Sequence, residues 1–522
     1  MATAITKHPR GLYVLFGTEM WERFGFYTVN GMLALYVRDA TQGFGFTNAQ
    51  SATLSSWYLG FVYFTPLLGG FIADRFIGFR RAIMLGGLFF AAGYSLLAVP
   101  DSLPIFYLAL VLLVIGNGLF KPNVSSMVGN LYPEGSPLKD KAYLIFYMGI
   151  NIGAFLAPLV AEFIQPRWGF NIAFLMGALG MVIALLVFGL NQRHVRHADT
   201  PRDRARRGFT RKDSARADQD AGAVSEDLPP VLNERARAMQ AVPEWKRIMA
   251  LIVIFAIVIV FWMIFHQNGI TLTFWANDHT DWNVTGILSN AINPMWIILL
   301  SLPLAWFWGW LDRRGMEPST PVKMMIGMLL TGASFTILYF AALAGGFDKP
   351  AFEVAQVSGQ QALVHISPEA REHLGIVVPP TTQNEAGADL WAVRLPAEAA
   401  VAEGDFVRLE SGSSDALAVG ATRDVSPWWL ILAYGVLSLG ELMLSPMGLA
   451  LVSKVAPIRM RGLMMGGWFA ATAIGNKLTA VGKFWDLWSH SSFFIILAAM
   501  AGAMAVLLLL LLKPLKKAMP GV

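Results

Sequence analysis

Long apolar stretches recur along nearly the whole chain, separated by shorter polar segments. A helix crosses the hydrocarbon core of a membrane with about 20 mostly apolar residues, and each stretch is close to that length. The pattern predicts twelve transmembrane helices, numbered 1 to 12, at residues 11–37, 52–74, 82–100, 104–129, 142–165, 170–190, 248–274, 286–310, 321–345, 427–452, 460–482 and 491–512.

Two polar segments divide this series of predicted helices. Residues 191–247 separate two sets of six, and their high charge and few aromatic residues predict a largely disordered linker with a short amphipathic helix at its end and no spanning helix. Residues 346–426 contain alternating or β-branched runs that are typical of a small β-rich domain, namely ALVHIS, HLGIVVP, LWAVRLP and DFVRLES. The predicted domains are therefore 1–190, 191–247, 248–345, 346–426 and 427–522.

The composition is that of an all-α integral membrane protein. Of 522 residues, 55% are hydrophobic and 14% are charged, and the mean hydropathy is +0.51. Lys and Arg residues are concentrated in the loops of one side, so the positive-inside rule places both termini in the cytoplasm. This topology explains the pI near 9.3 better than nucleic-acid binding does. The chain has no cysteine, which excludes disulfides and thiolate chemistry.

The segment between predicted helices 2 and 3, GGFIADRFIGFRR, resembles the glycine-acid-arginine loop of the major facilitator superfamily. The resemblance implies two six-helix bundles, with this loop packing them together on the cytoplasmic side and Asp74 paired to basic groups. In transporters built from such repeats, the substrate site lies near the membrane midplane between the halves.

Four predicted helices carry ionisable residues, although an ionised side chain at the bilayer centre costs at least about 2.5 to 3.5 kcal/mol. On helix 1, EMWERFGFY places its charges at three- and four-residue spacing, so they form one polar stripe. We expect this stripe to face a wet cavity shared with helices 4, 7 and 10, and the full set is Glu19, Glu22, Arg23, Lys121, His266 and Glu441. Lys121 and Glu441 belong to opposite halves and are natural partners across that cavity.

Five segments resemble signatures of the proton-dependent oligopeptide transporter family, and they follow the family's order. They are EMWERFGFY, GNGLFKPNVSS, FYMGINIG, SNAINP and LGELMLSPMGL. The resemblance implies a symporter in the bacterial cytoplasmic membrane that imports di- and tripeptides with protons by alternating access. It also implies a functional monomer that uses the proton gradient and no cofactor.

The resemblance further implies roles for individual residues. Glu19, Glu22, Arg23 and Lys121 would couple protons and hold the peptide carboxylate, and Glu441 would hold the peptide amino terminus. The residues expected to bind substrate are Arg23, Tyr27, Asn30, Tyr63, Lys121, Asn151, Trp262, Asn293, Glu441, Ser445 and Trp468. The alternative is a packing role for the aromatic residues Tyr63, Trp262 and Trp468, and bonds to neighbouring helices for Asn151 and Asn293.

The chain departs from the family pattern at two positions that change together. Many members have a second arginine seven residues after the signature arginine and an acid on helix 7, whereas this chain has Asn30 and His266. The change resembles the loss of an ion pair. Since histidine titrates in the physiological range, His266 either takes over protonation or serves as a neutral hydrogen-bonding residue.

Other functions are compatible with the same pattern. A related carrier for nitrate, a modified peptide or a peptide-like drug would share these features, and so would a sensor that binds peptide without transporting it. A membrane enzyme would need a metal-ligand cluster, a phosphate-binding loop or a nucleophile-base set, and the sequence offers none of these.

Overall fold

The computed structural model describes residues 8–99, 102–132, 138–199, 241–366, 370–372, 379–384, 389–395, 401–409, 419–457 and 460–520. The first half of the fold consists of the helices α1 (Arg10–Arg38), α2 (Asn48–Ile72), α3 (Phe79–Leu97) and α4 (Leu103–Asn130) and of one long helix, Leu138–Leu190. That helix is interrupted at Gly169. We name its two arms α5 (138–168) and α6 (170–190).

The second half begins with a broken helix, α7, whose parts are Glu244–Phe265, the 3₁₀ turn His266–Gly269 and Thr271–Asp278. It continues with α8 (Ser289–Arg313), α9 (Thr320–Gly345), α10 (Pro427–Val455), α11 (Arg461–Leu478, followed by the turn Thr479–Phe484) and α12 (His490–Ala518). Each predicted helix has one counterpart among these twelve, which confirms the predicted helical membrane fold.

Eight described stretches are long and apolar enough to cross a membrane by themselves. One of them, Ala142–Leu190, contains both α5 and α6. The two arms are separate helices because Gly169 has a φ of +84°, a conformation that favours glycine and ends the first arm. Within the described part of the chain, α1, α3 and α11 are not among the eight stretches. In α1, Glu19, Glu22 and Arg23 interrupt the apolar pattern.

Glycines allow the helices of each half to approach closely. A Cβ atom added to Gly153 of α5 would lie 2.2 Å from the carbonyl oxygen of Met20 on α1, and one added to Gly69 of α2 would lie 1.9 Å from that of Gly118 on α4. Small residues of this kind permit backbone contact between membrane helices. The FYMGINIG segment therefore has a packing role through its last glycine.

Among the described residues, the more extensive contacts between the two halves join α1 with α7, α2 with α11 and α5 with α8. We call the end of the helices that carries the β-sheet the sheet end, and the opposite end, where the α2–α3 turn and Asn191 lie, the linker end. Among the described residues, α4 and α10 share no extensive contact. These two helices, one from each half, are therefore not packed against each other.

The insertion between α9 and α10 contains a six-stranded antiparallel sheet, in the order β3-β4-β2-β1-β5-β6. The strands are β1 (Ala351–Ser358), β2 (Gln361–His365), β3 (Thr382–Gln383), β4 (Asp389–Arg394), β5 (Phe406–Leu409) and β6 (Val419–Ala421). The sheet has its own apolar core, which includes Val364, Trp391 and Val407. The predicted β-rich insertion is thus present, and three of its four predicted runs contain β2, β4 and β5.

Some predictions concern residues outside the described ranges. The run HLGIVVP and most of the linker, residues 200–240, belong to this group, so the disorder and the amphipathic helix expected there stay predictions. Asp74 lies in the π-helical turn Ala73–Ile77, where it is exposed and makes no ion pair with a described residue. The expected pairing of Asp74 is therefore not present in this conformation.

Candidate functional site

Arg23 of α1 is the centre of a buried charge cluster. Its guanidinium donates from Nε to Oε2 of Glu22 at 2.5 Å, from Nη2 to Oε1 of Glu22 at 2.6 Å, and from Nη2 to Asn117 of α4 at 3.2 Å. Asn117 itself donates to the carbonyl oxygen of Val62 on α2 at 2.6 Å. The signature charges are thus tied to α2 and α4. Sequence analysis missed Asn117, although it lies in the quoted GNGLFKPN motif.

Glu19 lies one helical turn before Arg23, and its side chain is also buried. Its Oε1 is 3.6 Å from Nε of Arg23, which is an ion-pair distance. Neither carboxylate oxygen accepts a hydrogen bond from a described residue. Since buried charges are stabilised by hydrogen bonds as well as by partners, Glu19 is the less well satisfied carboxylate of this pair.

Lys121 of α4 extends into the same region. Its Nζ lies 4.7 Å from the centre of the Tyr63 ring, a cation–π contact. The ammonium also interacts electrostatically with Glu19, Glu22 and Arg23. Among the described residues none forms a hydrogen bond or ion pair with Nζ, so the group is free to bind an anionic ligand.

Glu441 of α10 lies on the other side of the space between the halves. Its Oε2 accepts a hydrogen bond from Nδ2 of Asn293 on α8 at 3.1 Å, and the same nitrogen is 2.9 Å from Oγ of Ser438. The carboxylate also interacts electrostatically with Tyr27, Tyr63 and Tyr147 of the first half. It therefore faces the first half, as the sequence predicts.

Lys121 and Glu441 do not form an ion pair in this conformation, as far as the described contacts extend. Each has its own surroundings, the ammonium beside Tyr63 and the carboxylate beside Asn293. The two opposite charges stand on helices from different halves that are not packed together. Neither charge is neutralised by the other in this conformation, within the described residues.

Aromatic rings connect the two charged groups. Trp262 of α7 stacks on His266 with ring centres 5.1 Å apart, and His266 lies 5.6 Å from the ring centre of Tyr63. Nε1 of Trp262 and Nε2 of His266 are buried and have no hydrogen-bond partner among the described residues. The predicted residues Tyr63, Trp262 and His266 therefore form one aromatic cluster beside Lys121.

The remaining predicted residues are placed less centrally. Asn30 lies against the α7 break, because a Cβ on Gly269 would be 2.9 Å from its Nδ2. Asn151 donates to the carbonyl oxygen of Tyr147 in its own helix at 2.9 Å, and Trp468 is 2% exposed and packs on Phe255. Ser445 is half-buried one turn after Glu441. Substrate contact by these four residues stays a prediction.

The sheet end is closed by a polar cluster that the sequence analysis did not identify. Arg38 at the end of α1 forms two bonds with Asp278 at the end of α7, both 2.6 Å long. Asn48 of α2 accepts from Arg38 at 3.2 Å and donates to Asp486 at 2.8 Å. The cluster joins Arg38 and Asn48 of the first half to Asp278 and Asp486 of the second. All four residues lie outside the predicted helices, between predicted helices that the sequence alone does not bring together.

Other contacts extend this closure. Glu162 of α5 accepts from the backbone nitrogen of Thr285 at 2.9 Å and from its hydroxyl at 2.5 Å. Burial raises the pKa of Asp486, and the nearby Asp278 adds to this, while the Asn48 hydrogen bond and the Arg38 charge oppose it. The closure therefore contains an acid whose protonated form is favoured relative to free aspartate.

The sheet is attached to the same region. The ring centre of His279, which follows α7, is 4.5 Å from that of Phe406 in β5, and its carbonyl oxygen accepts from Val425 at 3.0 Å. Glu353 of β1 interacts electrostatically with Arg38 and Asp278. The insertion is thus packed on the second half, directly beside the ion pair that closes the sheet end.

Comparisons with known proteins agree with this architecture. The family model described as the POT family (PTR2) matches residues 80–211, 204–368 and 401–483. The chain is 28% identical to "Uncharacterized transporter YclF" of Bacillus subtilis (strain 168), with 99% of this chain and 96% of that protein covered. It is 27% identical to the "Di-/tripeptide transporter" of Lactococcus lactis subsp. cremoris, with 98% and 97% covered.

A solved structure is similar over the same length. It is the crystal structure of a mutant of the peptide transporter POT in complex with alafosfalin. The TM-score is 0.71 at 27% sequence identity, with 99% of this chain and 97% of that chain covered. The similarity extends over both halves and the insertion.

Proposed function

The chain belongs to the POT family of transporters, and on that premise we propose that it imports di- and tripeptides together with protons. The transport cycle is alternating access between two six-helix halves. The protein acts as a monomer in the bacterial cytoplasmic membrane and needs no cofactor, because the proton gradient supplies the driving force. Both termini lie in the cytoplasm, so the sheet end faces outward.

The observation that supports this proposal is that Lys121 of α4 and Glu441 of α10, from different halves, both interact with Tyr63, while neither forms an ion pair with a described residue. A short peptide is a zwitterion, and a cation and an anion on facing walls replace the water that its two ends lose. Lys121 binds the peptide carboxylate, and Glu441 binds the amino terminus. The Tyr63, Trp262 and His266 rings between them accept varied side chains through apolar area.

The proton binds within the cluster of α1. Three carboxylates, Glu19, Glu22 and Glu441, stand against two cations, Arg23 and Lys121, and this surplus of one negative charge favours one proton. Glu19 is the proposed acceptor, because its oxygens accept no hydrogen bond from the described residues. Protonation weakens the hold on Arg23, and the guanidinium and Lys121 then share the peptide carboxylate.

The closed sheet end supports assignment of this conformation to the inward-facing state. The Arg38–Asp278 ion pair and the Glu162–Thr285 bonds join the halves on the outer side. In the outward-facing state these bonds separate and α4 approaches α10. Lys121 and Glu441 exchange the peptide ends for each other as the empty carrier returns.

Uptake of a labelled dipeptide into proteoliposomes under an inward-directed proton gradient tests the proposal. We expect uptake that an uncoupler abolishes. Lys121→Gln and Glu22→Gln remove proton-driven uptake. Lys121→Gln leaves the thermal unfolding midpoint unchanged, whereas Glu22→Gln lowers it because it breaks a buried ion pair. Full proton-driven uptake in either variant contradicts the mechanism. If the parent protein binds dipeptide without accumulating it in the liposomes, the protein is a sensor and not a transporter.

The second candidate is a carrier of another small anion or zwitterion, including peptide-like drugs. A competition panel separates the two, with unlabelled dipeptide, nitrate and alafosfalin tested against labelled dipeptide. Peptide transport predicts strong competition by dipeptide and none by nitrate. Competition by nitrate or alafosfalin that is stronger than competition by dipeptide supports the second candidate.

A further inference from the structure

An apolar groove lies on the outer flank of the helices at the sheet end, away from the site between the halves. Its volume is about 1050 Å³, and it is lined by side chains of α2, α4 and the segment that follows α11, among them Trp57, Phe61, Tyr107, Val111 and Phe484. Trp57, Phe61, Tyr107 and Val111 are 49%, 49%, 43% and 53% exposed. The groove therefore opens to the membrane in the leaflet at the sheet end.

Two lysines stand at this groove. Lys483 lines it, and the Nζ of Lys477 lies 4.2 Å from the centre of the Trp57 ring. The two ammonium groups repel each other electrostatically. Lys477 donates to the hydroxyl of Ser56 at 3.4 Å, but neither lysine forms an ion pair with a carboxylate of the described chain. Two like charges without a counter-charge at an apolar rim favour an anionic ligand.

We propose that this groove binds an anionic glycerophospholipid from the leaflet at the sheet end. Its acyl chains lie in the groove between α2 and α4, and its phosphate contacts Lys483 and Lys477. The acyl chains lie in hydrocarbon whether the lipid is free or bound, so they contribute by packing against the groove, and the lysines supply affinity and selectivity for negative headgroups. The groove includes α2 and the end of α11, which belong to different halves, so the lipid contacts both.

Native mass spectrometry of the intact purified chain tests the headgroup preference. The probes are phosphatidylglycerol and phosphatidylcholine with identical acyl chains. We expect tighter binding of phosphatidylglycerol, and Lys483→Glu weakens it about fivefold or more, given the usual contribution of a lysine near a charged lipid surface. Lys516→Glu, an exposed lysine at the far end of α12, is the matched control and leaves the preference unchanged.

A second measurement locates the lipid and needs no change at the lysines. Phosphatidylglycerol with brominated acyl chains quenches tryptophan fluorescence on contact. The difference in quenching between the parent and Trp57→Phe measures contact of the lipid with Trp57 in the groove. Four results would overturn the proposal. The parent binds the two lipids equally, Lys483→Glu keeps the preference of the parent, Lys483→Glu loses both lipids equally, or Trp57→Phe does not reduce the quenching. Preference for phosphatidylglycerol together with Trp57-dependent quenching supports it.

Discussion

Replacing Asp278 by asparagine removes the negative partner of the ion pair that closes the sheet end. The substitution keeps the size and shape of the side chain, so the ends of α1 and α7 can still pack. Arg38 then keeps its position beside Asn48 but loses the two bonds of 2.6 Å to a carboxylate. In the proposed outward-facing state the two side chains are separated and hydrated. The substitution therefore destabilises only the inward-facing state.

The exposure of the pair sets the magnitude. The side chain of Arg38 is 24% exposed and that of Asp278 is 10% exposed. Breaking a buried pair costs about 3 to 5 kcal/mol, and an exposed pair contributes about 0 to 1 kcal/mol. For this intermediate case we expect a loss of about 2 kcal/mol. Since each 1.4 kcal/mol is a factor of ten, the population shifts about 30-fold toward the outward-facing state.

Distances between spin labels measure this shift, and the absence of native cysteine makes labelling specific. Ala40→Cys and Asn283→Cys place labels on exposed positions of the two halves at the sheet end, and Phe76→Cys and Met316→Cys do so at the linker end. In Asp278→Asn, the sheet-end distance should lengthen and the linker-end distance should shorten.

The control is Asp348→Asn, which breaks the Arg408–Asp348 ion pair of 2.8 Å within the insertion and does not involve the first half. It should leave both distance distributions as they are in the parent. If Asp278→Asn has the same spin-label distance distributions as the parent, the Arg38–Asp278 ion pair does not hold the sheet end closed, and this part of the proposal is wrong.

Two further predictions concern packing and pH. Gly153→Ala forces a methyl group to within 2.2 Å of the backbone oxygen of Met20. It should therefore destabilise the folded protein by about 1 to 3 kcal/mol and lower the thermal unfolding midpoint. Gly502→Ala, at an open position, should leave the midpoint unchanged. The raised pKa of Asp486 means that its contribution to stability is present at low pH and is lost as pH rises above the ordinary value of about 3.9. Asp486→Asn should therefore gain thermal stability relative to the parent between pH 4 and pH 7, and parallel pH profiles would contradict this.

Hydropathy determined most of the fold, because a bilayer permits few alternatives to apolar helices. The break between α5 and α6 at Gly169 was placed correctly, since Pro166 and Gly169 interrupt the apolar pattern there. The strand β1 was missed although Phe352 and Val354 are buried and Glu353 between them is exposed, which is an alternating pattern. The short strands β3 and β6, with two and three residues, offer too little pattern to be recognised.

The candidate site was predictable where a charge has no other explanation in a membrane. Arg23, Lys121 and Glu441 stood out for that reason. In the structure Lys121 interacts electrostatically with Arg23, and Glu441 interacts with Tyr27 and Tyr63 of the first half, while their roles stay predictions. The closure by Arg38 and Asp278 was missed because a charge at a helix end is ordinary at the membrane surface. Their pairing joins residues 240 positions apart, so only the folded chain reveals it.

Selective chemical blocking of the peptide ends tests the central claim most directly. Inhibition constants of a dipeptide, its C-terminal amide and its N-acetyl derivative are measured for the parent, Lys121→Gln and Glu441→Gln. A hydrogen bond to a charged group contributes about 1.5 to 3 kcal/mol, so the parent should bind each blocked peptide about 10- to 100-fold more weakly. Lys121→Gln should reduce only the discrimination against the amide, because Arg23 still contacts the carboxylate, and Glu441→Gln should remove only that against the N-acetyl derivative. If both variants discriminate as the parent does, these two residues do not hold the ends of the peptide.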